Sequence, residues 1–372
     1  MKGTFTRILK VQTLMVVLAT IATPVFPAET GAADTDSLVR RIEALETELA
    51  SLKELVKQQS SPEQSKPPNP VEFGGTAYMS YSFDNDGADR SDNRFAVDRF
   101  YFNTKKRLTD RMSLRLTTDI ATRVESSKTK FNTYVKYAYV KFDRVVPNGD
   151  LIFGAQATPW VGNEEKAWKY RSVRKVLADD RGFFGSGDFG LSLQGTFDEK
   201  RGDYHAMLSN GEGYGSEEET ANANAKDFTA RVSYSPAKNA PRFSLYGDRG
   251  SSNGAKSNRL AAMLNQQIAG FSYGLSFIHG VDGSTKRRGL SVFGNYDITN
   301  TKWSLLARYD RYDPDRSASG DIQTLRLAGF SYRYSDDARL IVSYHLDRDR
   351  ALAESPAGSN DTELKAIVEL NY

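Results

Sequence analysis

The chain has 372 residues, with 50 basic against 47 acidic side chains and a formal net charge of +3, so no bias toward a nucleic-acid or other polyanionic partner is encoded. It has no cysteine, which excludes disulfides, thiolate metal sites and attachment of haem or lipid through sulfur. Its mean hydropathy of −0.54 excludes a polytopic helical membrane protein, but not a membrane β-barrel, whose thin apolar face is averaged with a polar lumen.

At the N-terminus, Lys2, Arg7 and Lys10 precede an apolar stretch from Val11 to Ala22, followed by Pro24, Pro27 and the small residues Ala28 and 31–33. This predicts a secretory signal peptide over 1–28, with cleavage open between 28 and 33. Export carries the remainder at least to the periplasm.

From Leu38 the apolar residues Ile42, Leu45, Leu49, Leu52 and Val56 follow at alternating steps of four and three. A 3.5-residue period makes one apolar seam, and residues 34–60 are therefore expected to form a short coiled coil in the periplasm that requires partner helices. Residues 61–70 carry four prolines and read as a stiff extended linker.

From Val71 onward alternation replaces helical periodicity. Met112, Leu114, Leu116 and Thr118 alternate with polar neighbours, as do Phe189, Leu191 and Leu193, then Trp303, Leu305, Ala307 and Tyr309. Such strands have one apolar and one polar face. Many of the runs are about ten residues or longer, enough to cross a bilayer at a tilt. No sheet edge can stay unpaired in lipid, so a spanning sheet must close on itself. About sixteen such runs lie between 72 and 372, with short turns such as 108–110 and 335–337 alternating with long polar connections such as 211–225 and 348–360. The expected fold over 71–372 is all-β: a transmembrane antiparallel β-barrel of about 16 strands, wide enough for an aqueous lumen. The last strand alternates into a terminal aromatic, Tyr372, resembling the closing strand of bacterial outer-membrane proteins.

One segment, 160–188, escapes the hairpin rhythm. It carries Lys166, Lys169, Arg171, Arg174 and Lys175 with no acidic residue among them, flanked by Glu164, Glu165, Asp179 and Asp180. A long loop can fold inward and narrow the lumen, where low-dielectric walls focus the field of its charges. These five residues are the candidate constriction. Strand parity adds a candidate pore lining of Arg99, Arg111, Arg115, Arg231, Arg259 and Arg308, since arginine on a lipid face costs about 2–4 kcal/mol at the midplane. Inward acids such as Asp119, Asp310, Glu363 and Glu369 temper that set.

Residues 154–160 (GAQATPW), the charged loop after them, 189–195 (FGLSLQG) and 210–213 (NGEG) resemble the phosphate-selective porin O/P family, in a layout running from about residue 72 to the terminus. The resemblance implies a trimeric sixteen-stranded outer-membrane channel whose inward loop forms the constriction and whose selectivity depends on arginines and lysines along the lumen. Trp160 stands where that family more often has phenylalanine. The expected function is a water-filled channel for passive diffusion of small hydrophilic solutes, with a mild preference for anions, phosphate included. Expected partners are outer-membrane lipid, lipopolysaccharide and two further copies of the chain. The other reading is a structural tether or adhesin with a plugged barrel as anchor. His205, His279 and His345 are far apart in sequence and no nucleophile–base grouping is visible, so no catalytic residue, metal or cofactor is expected.

Overall fold

A computed structural model describes residues 35–59, 70–85, 91–125, 128–211, 213–214, 226–252, 255–349 and 360–372. The expected signal peptide and nearly all of the proline linker lie outside these residues. The chain divides into two units, Met1–Pro67 and Pro68–Tyr372. In the first, Thr35–Gln59 forms helix α1, on which Leu45, Leu49 and Leu52 are all exposed. These three leucines belong to the 3.5-residue period of the sequence, and a coiled-coil partner for them remains an expectation.

The second unit is a closed antiparallel barrel of sixteen strands. The first eight are β1 (Glu72–Asn85), β2 (Ser91–Thr109), β3 (Met112–Glu125), β4 (Lys128–Val146), β5 (Gly149–Ala157), β6 (Gly187–Phe197), β7 (Gly202–Ser209) and β8 (Asp227–Tyr234). The second eight are β9 (Arg242–Ser252), β10 (Ala255–Ile268), β11 (Phe271–Asp282), β12 (Thr285–Asp297), β13 (Trp303–Asp313), β14 (Gln323–Arg333), β15 (Ala338–Asp349) and β16 (Asn360–Asn371). Each coincides with one of the alternating runs of the sequence. Every strand pairs with its sequence neighbour, and β1 closes on β16 in a register that sets Tyr81 opposite Ala366. Alternation governs which side chain faces where: along β13, Ser304, Leu306, Arg308 and Asp310 point inward and are buried, while Trp303, Leu305, Ala307 and Tyr309 point outward and are exposed.

Connections from even to odd strands form one rim and are short, as at 110–111, 147–148 and 269–270. The other rim carries the longer loops and the segment between β5 and β6. Closure depends on one close approach. Gly75 exchanges backbone hydrogen bonds of 2.8 and 3.1 Å with Tyr372, and a Cβ on Gly75 would collide with the Tyr101 carbonyl and the Tyr372 hydroxyl. We expect Gly75→Ala to destabilise the closed barrel by about 1–3 kcal/mol through overpacking. Heat-modifiable gel migration checks it, and an unchanged melting point would show that the seam tolerates the extra carbon.

Candidate functional site: the segment inside the barrel

The chain leaves β5 through the residues of the 154–160 motif, and the structure explains their identity. Gly154 has φ +126 and its backbone abuts the Ala138 carbonyl, so a side chain is excluded on both grounds. Gly190 faces it across the β5–β6 pair, and the Gln156 amide donates to the Gly190 carbonyl at 3.0 Å. The glycine-rich motif thus fixes where the following segment enters the lumen.

The segment contains two helices that the sequence pattern did not disclose. Helix α2 (Val161–Trp168) ends where Lys169 takes a left-handed conformation with φ 67. A single helical turn, α3 (Leu177–Asp180), follows. Trp160, Val161, Trp168 and Leu177 are fully buried, and they pack on inward side chains of the wall, including Tyr246, Ile278, Phe293 and Leu306. The rings of Trp168 and Phe293 meet edge to face at 5.6 Å, as do Phe183 and Tyr312 at 5.5 Å. Burial of an indole requires a partner for its N–H. Trp160 donates to Glu164 Oε2 at 2.8 Å, and Trp168 donates to the Arg174 carbonyl at 3.0 Å. The sequence reading expected an inward face that is polar throughout. The correction is that the wall from β9 to β16 carries an inward apolar patch, also including Leu325, Leu327, Ile341 and Ile367, and the segment covers it.

Ionic contacts fasten the segment to the wall. Arg308 is 1% exposed, binds Asp310 with Nε at 2.9 Å, and donates to the Lys175 carbonyl at 2.6 Å. Arg231 reaches the Pro159 carbonyl at 2.8 Å and Asp203 at 2.5 Å. Arg259 bridges Asp248 and Asp282, each at 3.2 Å. Arg99 pairs with Asp119 and Tyr134, and Arg115 donates to Thr117 and Asn103, both at 3.0 Å. Five of the six expected lining arginines therefore face the lumen, and four of them are held by carboxylates. Arg111 is the exception: it sits exposed in the β2–β3 turn, because β2 ends at Thr109, β3 begins only at Met112, and the chain reverses between them.

The five basic residues of the segment divide similarly. Arg171 pairs with Glu165 and Asp179, Arg174 with Asp180 at 3.0 Å and Asp347 at 3.1 Å, and Lys175 with Asp179 at 3.2 Å. Lys169 donates to Ser272 at 2.8 Å, and burial pushes its ammonium pKa down. Lys166 is exposed and makes no ion pair among the described residues. Sequence reasoning missed Lys136, buried with its ammonium 2.9 Å from the Tyr101 hydroxyl and 4.4 Å from that ring's centre, and also Arg181, Arg287 and Arg339. The run of tyrosines around Lys136 was the available signal, since a buried lysine needs such company.

Two cavities flank the segment. One of about 650 Å³ is lined by the cations Arg144, Lys166, Arg231 and Arg242 against the carboxylates Asp150 and Asp203. Another of about 270 Å³ is lined by Arg99, Arg171, Arg174, Lys175 and Lys365 against Asp98, Asp180 and Glu363. Cations outnumber carboxylates in both. Among the described residues no three His, Asp or Glu side chains converge as a metal site.

Glu164 lies inside the packed segment. Burial pushes its carboxyl up to about 7, against the opposing pull of the nearby Arg308 guanidinium. A carboxyl whose folded-state pKa is raised contributes stability below its unfolded value, and that contribution is lost as pH rises through the folded value. The segment should therefore seat more firmly at pH 5 than at pH 8, and Glu164→Gln, which can still accept from Trp160, should flatten the difference. Protease sensitivity of the segment across pH 5 to 8 measures it, and an unaltered pH profile in the variant would refute it.

No protein-family model matches the chain, and no curated protein matches it either. Solved structures do. An anion-selective porin from Comamonas acidovorans superposes with a TM-score of 0.59 at 12% identity, over 82% of this chain and 100% of that one. OprB of Pseudomonas putida gives 0.60 at 8% identity, over 85% and 97%. The outer-membrane channel DcaP of Acinetobacter baumannii gives 0.55 at 11% identity, over 83% and 99%. The fold is the one these channels share.

Proposed function

We propose that the chain is an outer-membrane porin, a passive channel for small hydrophilic solutes with a mild preference for anions, phosphate among them. The observation that carries this reading is the excess of cations over carboxylates in the cavities on both sides of the inward segment. No bond changes in transport; solutes are selected by the width beside the segment and the field of its walls. The preference is mild because Arg99, Arg231, Arg259 and Arg308 are each already paired with an acid. Residues 160–188 act as the constriction, and Lys166, exposed and with no acidic partner among the described residues, is the segment's cation that lines the larger of the two cavities. The motifs shared with the phosphate-selective porin O/P family support the same reading. So does the anion selectivity of the Comamonas porin, whose fold is alike.

The assembly is a homotrimer in this proposal, as OmpT of Vibrio cholerae, with the same fold, is in its trimer form. Helix α1, in the periplasm after signal cleavage between 28 and 33, holds the copies together through the seam of Leu45, Leu49 and Leu52.

Planar-bilayer recording of the intact, folded chain tests the function. Stable conductance steps should appear, and in a potassium chloride gradient the reversal potential should have the sign of chloride preference. Folded protein without conductance would leave the tether reading. Removing residues 35–59 should leave the conductance of each pore unchanged while weakening the trimer in cross-linking.

A further inference from the structure

Arginines are treated differently on the two faces of this barrel. Inside, Arg99, Arg171, Arg174, Arg231, Arg259 and Arg308 all contact carboxylates. Outside, near the rim of the long loops, three arginines converge without any. On β13, Arg311 points outward, and the strand register places it opposite Thr324 of β14. On β15, Arg348 stands opposite the same Thr324 from the other side. Arg326 is two residues further along β14 on the same outward face, between Tyr309 and Leu346. All three are exposed, and among the described residues none forms an ion pair or a side-chain hydrogen bond.

The spacing is set by the sheet. With strands about 4.8 Å apart, the backbones of Arg311 and Arg348 lie roughly 10 Å from each other, and Arg326 is about 7 Å along the strand from Thr324. Three guanidinium groups on flexible stems can therefore meet over the Thr324 hydroxyl. Such a cluster repels itself when empty. The outward acid Asp313 lies two residues beyond Arg311 and stands opposite another outward arginine, Arg288, so it does not relieve the three. Thr324 is the second residue of β14, which puts the cluster at headgroup depth, where arginine costs little and anions are present. Guanidinium suits phosphate because its paired donors match two phosphate oxygens.

We propose that Arg311, Arg326 and Arg348, with Thr324 between them, form a binding site on the outer wall for the phosphate of a phosphorylated glycolipid of the outer leaflet. The site rests on the outer-membrane placement given above and adds to it a defined position for the lipid. Tyr309 and Leu346 flank Arg326 on the same outward face, and Ala307, Ala328 and Tyr344 continue that face one step further from the rim, toward the acyl chains of such a lipid.

The test uses the full folded chain in detergent, titrated with diphosphoryl lipid A and, separately, with the same lipid after removal of its phosphates, and followed by native mass spectrometry. One tightly retained diphosphoryl lipid A per chain is expected, with weaker retention of the dephosphorylated form. The triple variant R311Q/R326Q/R348Q should lose affinity for the phosphorylated lipid by roughly tenfold or more, as expected when several charge-assisted contacts are removed together. The single variants, each with a smaller loss, replace it if the triple variant does not fold. Inorganic phosphate at millimolar concentration should not displace the lipid. Equal retention of the two lipids, or an unaltered affinity in the variants, would overturn the site. Conductance is recorded on the same preparations: it should persist in every variant, so loss of the lipid site and failure of the channel reading give different results.

Discussion

Replacing Arg308 with alanine is expected to release the inward segment from the wall and to lower stability by about 3–5 kcal/mol, the range for breaking a buried ion pair from one side. Arg308 and Asp310 are each 1% exposed, so the carboxylate left behind could recruit neither water nor a substitute cation without rearrangement. The same guanidinium holds the Lys175 carbonyl and lies 5.5 Å from the Trp168 ring, joining charge, backbone and aromatic packing at one point. Two measurements separate its roles. The thermal midpoint should fall, and single-channel conductance should become noisy and larger as the segment leaves its seat. Lysine at this position keeps the charge but lacks the planar fork, so Arg308→Lys should recover only part of either quantity. An Arg308→Ala protein with the original midpoint and quiet conductance would show that the aromatic contacts alone seat the segment.

The barrel was legible in the sequence because lipid and water impose a strict two-residue period on every strand, and all sixteen alternating runs became strands. Boundaries moved by a few residues where strand pairing runs on past the alternating stretch, as in the 19 residues of β2 and of β4. The inward segment was legible as an exception to the rhythm, but not as structure. Its helices are one or two turns long, too short to establish a period, and they are stabilised by wall residues distant in sequence. The clue lay in the strands. Leu325 and Leu327 on β14, and Ile341 on β15, are apolar on the face where a water-filled lumen would want polar groups. A strand apolar on both faces states that something packs inside. In the sequence the basic run from Lys166 to Lys175 has the pattern of a field source, yet three of its five cations are neutralised by acids from within the segment. Helical spacing placed Asp179 four residues from Lys175, and only the folded return of the chain brought it to Arg171.

Excising the segment should produce the largest functional change. Joining residue 160 to residue 186 by a short glycine–serine bridge removes α2, α3 and the aromatic residues Trp168, Phe183 and Phe184, while β5 and β6 keep their register from Gly149↔Gly195 to Ala157↔Gly187. Sixteen strands enclose an aqueous lumen whatever fills it, so conductance should rise on the order of twofold or more. Stability should also fall, because the inward apolar patch from Ile278 to Ile367 would face water, a penalty of about 25 cal/mol per Å² exposed. Selectivity distinguishes the sources of the field. If the anion preference comes from the segment, excision removes Lys166, Arg171, Arg174 and Lys175 together with Asp179 and Asp180, and the reversal potential should move toward zero. The wall arginines Arg231, Arg259 and Arg308 stay behind with their acids, neutral as pairs, and cannot restore it. An excised channel with unaltered conductance would mean that the segment does not limit the pore. One with larger conductance and the original reversal potential would move the selectivity to the wall, where Lys136 and Arg115 on the β3–β4 face would be the residues to change next.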